Sequence, residues 1–333
     1  MKDPEHFIEV REMHLIIDWL KTFAESEIIT DIKDCGLELI KIINIDKLEN
    51  SSKTLTKFYN IKVDDFRGKQ DFKIYIVKCP IGFYDYRNTS KGNRLVNTKL
   101  FDLKQILRKK SGHSHSIHAT DNIQETKDNL KALELYEKHY ERKEFKDISE
   151  VFDVLNGLKN FKYVIMRNFE GIPDDIIIDE HLDIDLLVSD YYMAKAMLDA
   201  TSVYHGQLYD DGQYRILNSI LIEGKEVWFD LRYIGDSYYD IELEKRMLNK
   251  RIILKNFFIP DEKTHLYTLI YHALVHKTHI SNTYKTIFIE SGISKENINK
   301  NFLGKLLDGY MIKNGFEYVK PKDKTVGYHY NGH

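Results

Sequence analysis

Cysteine is scarce: only Cys35 and Cys79 occur in 333 residues. That excludes a disulfide framework, and neither residue has zinc-finger spacing around it, so both read as reduced, buried thiols. Proline is nearly as rare, at five residues, and no glycine-serine or low-complexity stretch interrupts the chain. A flexible linker is thereby excluded, and any junction between domains must itself be structured. There is no run of eighteen apolar residues and no charged-then-apolar leader, so the expectation is a soluble, cytoplasmic chain without a membrane span. Nor is there an excess of charge of one sign, because 49 basic and 52 acidic residues leave −3. This is too little for a broad electrostatic grip, and polymer nucleic acid is not the expected partner.

What is present reads as an α+β chain of two domains, since 333 residues exceed the usual size of one. A helix is expected over 13–24, a strand from Leu37 to Ile43, a polar helix over 46–60 and a strand from Phe72 to Val77. The segment 124–158 reads as helix, charged break and helix, stopped at Gly157. The boundary falls near residue 145, giving domains 1–145 and 146–333. Beyond it, strands are expected at Tyr163–Arg167 and Asp183–Val188, then a helix from Tyr191 capped by Asp190. A hairpin follows, turning at Glu223-Gly224, and then a helical C-terminal region over 261–277 and 301–314. The tail KPKDKTVGYHYNGH reads as a domain end.

The chemistry concentrates in HLDIDLLVSD. Asp183 and Asp185 are one residue apart in a run of strand formers, so both carboxylates share a face while Ile184 and Leu186 point into the core. Two acids so placed repel unless a cation lies between them, and Mg²⁺ or Mn²⁺ suits a few carboxylates combined with substrate phosphates. Asp230, in the second hairpin strand, is again an acid among apolar residues. Adjacent strands lie about 4.8 Å apart, so it can stand beside the pair. Arg232, two positions on, faces the same side and is placed to pair with the acids or bind a phosphate. Arg167 and Asn168 are candidate phosphate contacts, Arg167 having Glu170 and Asp174 as alternative partners. Leu266, Leu269, Ile270, Leu274 and Val275 form an apolar helical face, leaving His272, His276 and Lys277 to line a cleft.

This pattern resembles the DNA-polymerase-β-like nucleotidyltransferase superfamily over residues 160–280, and YVIMRNFEGIPDD is similar to a variant found in members associated with surface polysaccharides. The resemblance implies a metal-dependent transferase of nucleotidyl or phospho-substituted groups. Asp183, Asp185 and Asp230 would be its catalytic metal ligands, a nucleotide or nucleotide-activated small molecule its donor and a glycan its acceptor. It also implies that the 261–277 helix packs beside the site, with Lys277 toward phosphate. Arg167-Asn168 stands where the superfamily carries its glycine-serine or glycine-glycine phosphate cradle.

In the first half, SGHSHSIHATDN groups His113, His115 and His118 ahead of Asp121. Three readings fit this group. One is a transition-metal site, although His118 breaks the strand parity of the other two. The second comes from residues 28–130, which resemble nucleoside diphosphate kinase. IITDIKDCGLELIKIINIDK is similar to its first helix and strand, and IHATDNIQETKDNL to its catalytic histidine stretch. The implied fold is ferredoxin-like, with His118 at the phosphate-accepting position, His115 where asparagine is expected, Thr120 and Asp121 on the serine and aspartate, and a homo-oligomer formed through this domain. Lys104 and Arg108 are candidate phosphate contacts, and the family's lysine-proline-aspartate-glycine segment is missing. The third reading is a kinase-like fold retained as a non-catalytic nucleotide or sugar-phosphate binding module.

Overall fold

Residues 13–18 of the 13–24 segment, read from sequence as helical, form a strand in the computed structural model, which describes residues 12–330 apart from 60, 80–83, 90–91, 159, 174–182 and 206–214. All seven residues of this strand, β1 (Glu12–Asp18), are buried. A strand covered on both faces reads as one continuous apolar run, which periodicity cannot separate from a buried helix.

Two compact units emerge, one of residues 1–143 with 195–199, the other of residues 144–194 with 200–333. The first continues from β1 through α1 (Glu25–Asp34), β2 (Glu38–Ile45), α2 (Ser51–Tyr59), β3 (Phe72–Cys79), β4 (Tyr84–Thr89) and β5 (Gly92–Asn97). It then runs through α3 (Thr98–Ser111), β6 (Ile117–Ala119), α4 (Ile123–Ala132) and the short α5 (Tyr136–His139). Its main sheet has the order β2-β3-β1-β6, with every neighbouring pair antiparallel. Period-two alternation divides the core between the two faces. Leu15, Ile17, Phe72, Ile74 and Ile76 pack with Trp19, Phe58 and Leu130, whereas Ile16, Tyr75 and Val77 pack with residues of α1 and α3 such as Ile28, Ile32, Leu100 and Leu103.

The second unit contains β7 (Glu144–Phe145), α6 (Ile148–Asn156), β8 (Tyr163–Ile165), β9 (Asp183–Val188), residues 191–194 of α7 (Tyr191–Met197), β10 (Thr201–His205), β11 (Arg215–Ile222) and β12 (Lys225–Tyr233). α8 (Ile241–Asn249), β13 (Ile252–Leu254), β14 (Phe257–Ile259), α9 (Glu262–Tyr271), α10 (Asn282–Glu290) and α11 (Lys300–Asn314) follow. The sheet order is β10-β11-β12-β9-β8, with β7 beside β11. β9 and β12 run parallel in the middle, and their outer neighbours β8 and β11 are antiparallel to them. The β11–β12 turn is at Glu223-Gly224, both with positive φ (48° and 73°), the geometry that suits the right-handed twist of a two-residue hairpin. Behind the sheet, residues of α8, α9 and α11, among them Leu243, Met247, Leu269, Ile270, Leu303 and Leu307, form a helical core. The mixed helix and sheet content is that of an α+β protein.

Candidate metal centre

Strand geometry brings the three acids together. Asp183 and Asp185 project from the same face of β9, while Ile184 and Leu186 are buried on the other. In the parallel pairing, Asp230 of β12 lies directly across from Asp185. The result is one oxygen from each of Asp183, Asp185 and Asp230 with all three within 4.8 Å of one another. Asp185 and Asp230 are buried, at 5% and 3% exposure, and Asp183 is half-buried.

Two arginines are interleaved with these acids. Arg167 leaves the end of β8 just after Met166, whose N–H donates to the Asp185 carbonyl, and its Nη2 donates to Asp185 Oδ1 at 2.5 Å. Its partner among the described residues is therefore Asp185 rather than Glu170, and Asp174 lies outside the described residues. Arg232 donates from Nη2 to Asp230 Oδ2 at 2.9 Å and from Nη1 to Asp323 Oδ2 at 3.0 Å. Burial opposes the charge on both arginines. The facing carboxylates and the surrounding tyrosines outweigh it, and both are held above the ordinary guanidinium pKa. The guanidiniums also share one aromatic neighbour, lying 5.7 Å (Arg167) and 4.7 Å (Arg232) from the ring centroid of Tyr238.

A cleft of about 330 Å³ opens over the carboxylates. Its far wall begins where α9 gives way to a five-residue π-helical turn, His272–His276. Such turns recur at functional sites because the extra residue re-aims side chains. Here His272 and His276 reach the cleft, His272 meeting the Tyr238 hydroxyl at 3.1 Å from Nδ1. His276 packs 4.3 Å from the Tyr238 ring centroid. Its pKa is pushed down to about 3, first by desolvation and then by Arg167 and Arg232, so it is neutral at physiological pH. Lys277 is exposed and lines the opening together with Asn168, Ser281 and Thr283. Asn168 has a left-handed backbone, φ 56°, a conformation asparagine tolerates better than most residues.

The sequence reading did not anticipate the contribution of the tail. Thr325, Val326 and Gly327 line the cleft. The His329 N–H donates to the Val275 carbonyl at 2.7 Å, and Asp323 supplies the second partner of Arg232. A Cβ on Gly327 would fall 2.5 Å from the His276 carbonyl, so the close approach of the tail requires glycine there. Gly327 is the one signal in KPKDKTVGYHYNGH that could have marked this contact. Tyr238 and Tyr284, also in the lining, carry no sequence mark that separates them from core tyrosines.

The histidines of the first unit are not brought together. His118, on β6, is 5% exposed and packs against Phe58 and Tyr59 at 5.0 and 5.5 Å between ring centroids. Its Nε2 lies 3.0 Å from Asn129 Nδ2. His113 and His115 are exposed in the preceding loop. Among the described residues the three aspartates are the cluster with metal-binding spacing, and the histidines form none. Arg108 donates from Nε to the Ile117 carbonyl at 2.9 Å, bracing β6, and Lys104 is paired with Asp121.

Among the described residues, no helix is long and apolar enough to cross a membrane. Compared with known proteins, the chain matches no protein-family model, and no curated protein is detectably similar to it in sequence.

Proposed function

We propose that the chain is a divalent-metal-dependent transferase of nucleotidyl or phospho-substituted groups, of the DNA-polymerase-β-like type. A nucleotide or nucleotide-activated small molecule is the donor, and a glycan of surface-polysaccharide synthesis the acceptor. The observation that carries this reading is the convergence of Asp183, Asp185 and Asp230 on one face of two adjacent parallel strands.

The donor set fits a hard cation. All three ligands are carboxylate oxygens, and they converge at the floor of a cleft. Four carboxylates, counting Asp323 on Arg232, against two guanidiniums and the Lys277 ammonium leave one uncompensated negative charge. Asp183, Asp185 and Asp230 would hold Mg²⁺ or Mn²⁺, which when bound lowers the pKa of an attacking hydroxyl and polarises phosphoryl oxygens. The remaining work belongs to the side chains. Arg167, Arg232 and Lys277 supply positive charge toward an anionic donor, and the tail and the π-helical wall border the cleft that receives it.

The order β2-β3-β1-β6 in the first unit supports a ferredoxin-like reading, and we take this unit as a binding module rather than a phosphohistidine enzyme. What favours this is the burial of the His118 imidazole, which packs against Phe58 and Tyr59 and is held at Nε2 by Asn129.

A transfer assay with nucleoside triphosphates and CDP-alditols as donors, in Mg²⁺, Mn²⁺ or chelator, tests both parts. Metal-dependent turnover that is lost in Asp183→Asn and retained in His118→Ala is expected. Turnover that survives chelator and Asp183→Asn would overturn the carboxylate assignment, and turnover lost in a folded His118→Ala would return the chemistry to the first unit.

A further inference from the structure

Two buried residues lining the cleft carry polar atoms without a hydrogen-bond partner of good geometry. Arg167 is 7% exposed and uses Nη2 on Asp185, but its Nη1 has no hydrogen-bond partner. His276 is 2% exposed. The Tyr238 backbone is the polar neighbour of its ring, and no hydrogen bond of ordinary geometry reaches either ring nitrogen. A buried donor left unpaired costs about 1–3 kcal/mol, more when charged, so a pair of such groups in one cleft marks a place for an acceptor. Both line the same space as the carboxylates and pack on the same ring, Tyr238. A guanidinium edge beside a neutral imidazole suits a phosphoryl group: two N–H donors can approach its oxygens, and one of them is charged.

The same arginine neutralises Asp185. Arg167 and Arg232 pair with Asp185 and Asp230. A divalent ion on those carboxylates would take over that role and leave the guanidinium of Arg167 to an anion. Resting on the metal-centre reading above, we propose that Arg167 and His276 form a phosphoryl subsite beside the carboxylates, and that divalent metal and phosphate bind cooperatively because metal displaces Arg167 from Asp185. The charge balance points the same way. Counting Asp323 on Arg232 and Lys277 at the opening, four acids and three basic groups leave −1, and one divalent ion makes this +1, which favours the entry of an anion.

Mn²⁺ and inorganic phosphate are the probes, titrated calorimetrically, each alone and in the presence of the other, with thermal melts to verify folding. Wild type is expected to bind phosphate at least about tenfold more tightly when Mn²⁺ is saturating, and Mn²⁺ more tightly by the same factor when phosphate is present, as linkage requires. In Arg167→Gln the linkage is reduced about fivefold or more, and without phosphate this variant binds Mn²⁺ more tightly than wild type because the competing cation is gone. His276→Ala weakens phosphate while leaving the affinity for Mn²⁺ alone unchanged. Direct metal–phosphate contact contributes linkage of its own, which persists in Arg167→Gln; linkage there as large as in wild type overturns the proposal. If Arg167→Gln does not fold, Arg167→Lys replaces it: the charge is kept but the two-edged fork is lost, and reduced linkage is again expected. Absence of linkage in wild type overturns the subsite while Mn²⁺ binding lost in Asp183→Asn upholds the metal centre. Absence of Mn²⁺ binding in wild type overturns both.

Discussion

Asp185 and Asp183 sit two residues apart on one strand face, but they differ in what removing them leaves behind. Asp185 is buried against Arg167, whereas Asp183 is half-buried at the mouth. Asp185→Asn strands a buried guanidinium, and a loss of about 3–5 kcal/mol is expected in metal-free protein. Asp183→Asn is expected to cost about 1 kcal/mol or less. Urea unfolding in chelator measures both, and equal costs would show that the Arg167 pair does not contribute as described. A second residue-scale effect is acid sensitivity. The pKa of His276 is pushed from 6.5 down to about 3, chiefly by desolvation. The unfolded chain therefore binds the extra proton first, so this contribution to stability is fully present above pH 6.5 and declines as pH falls toward 3. The slope approaches about 1.4 kcal/mol per pH unit. Unfolding followed from pH 7 to 4 should show a shallower decline in His276→Gln than in wild type. At this scale the aspartates and Arg232 were legible in the sequence, because strand alternation alone assigns them to one face. The partner of Arg167 was not, since a residue just past a strand end has no periodicity to fix its direction.

The β11–β12 hairpin carries Asp230 to its place, and its turn is written in Glu223-Gly224. Gly224 has φ 73° with open space where a Cβ would go, so Gly224→Ala meets a conformational cost and no clash. A loss of about 1–2 kcal/mol is expected. Thermal unfolding checks it, and no loss would mean that the turn has an alternative form. The parallel β9–β12 pairing, which sets Asp230 opposite Asp185, could be anticipated only as proximity. Strand direction and register depend on the intervening α7, β10 and β11. β1 went unrecognised for a related reason, because burial on both faces erases the alternation that distinguishes a strand. The π-helical turn at His272–His276 was likewise invisible, since the apolar positions around it fit an uninterrupted helix equally well.

At the scale of the whole chain, the division into two units follows sequence order except at residues 195–199, which belong with the first. Asp199 explains their placement. It is 2% exposed, pairs with Lys127, and accepts hydrogen bonds from the Tyr140 hydroxyl at 2.6 Å and the Lys143 N–H at 2.7 Å. Asp199→Asn leaves Lys127 buried without its counter-charge. A loss of about 3–5 kcal/mol in the first unit is expected, detectable as faster hydrogen exchange in α4 and around Asp199; unchanged exchange would contradict it. Contacts of this kind, between residues 72 or 59 positions apart in the chain, leave no local sequence signature. The same applies to the tail, whose Asp323 completes Arg232 and whose Gly327 approaches His276. Anomalous diffraction from crystals soaked in Mn²⁺ decides whether Asp183, Asp185 and Asp230 form a divalent-metal centre. A strong anomalous peak between those three carboxylates, absent from Asp183→Asn crystals, is expected. A soaked wild-type crystal with no peak there, or with its peak at the exposed His113 and His115, would contradict it.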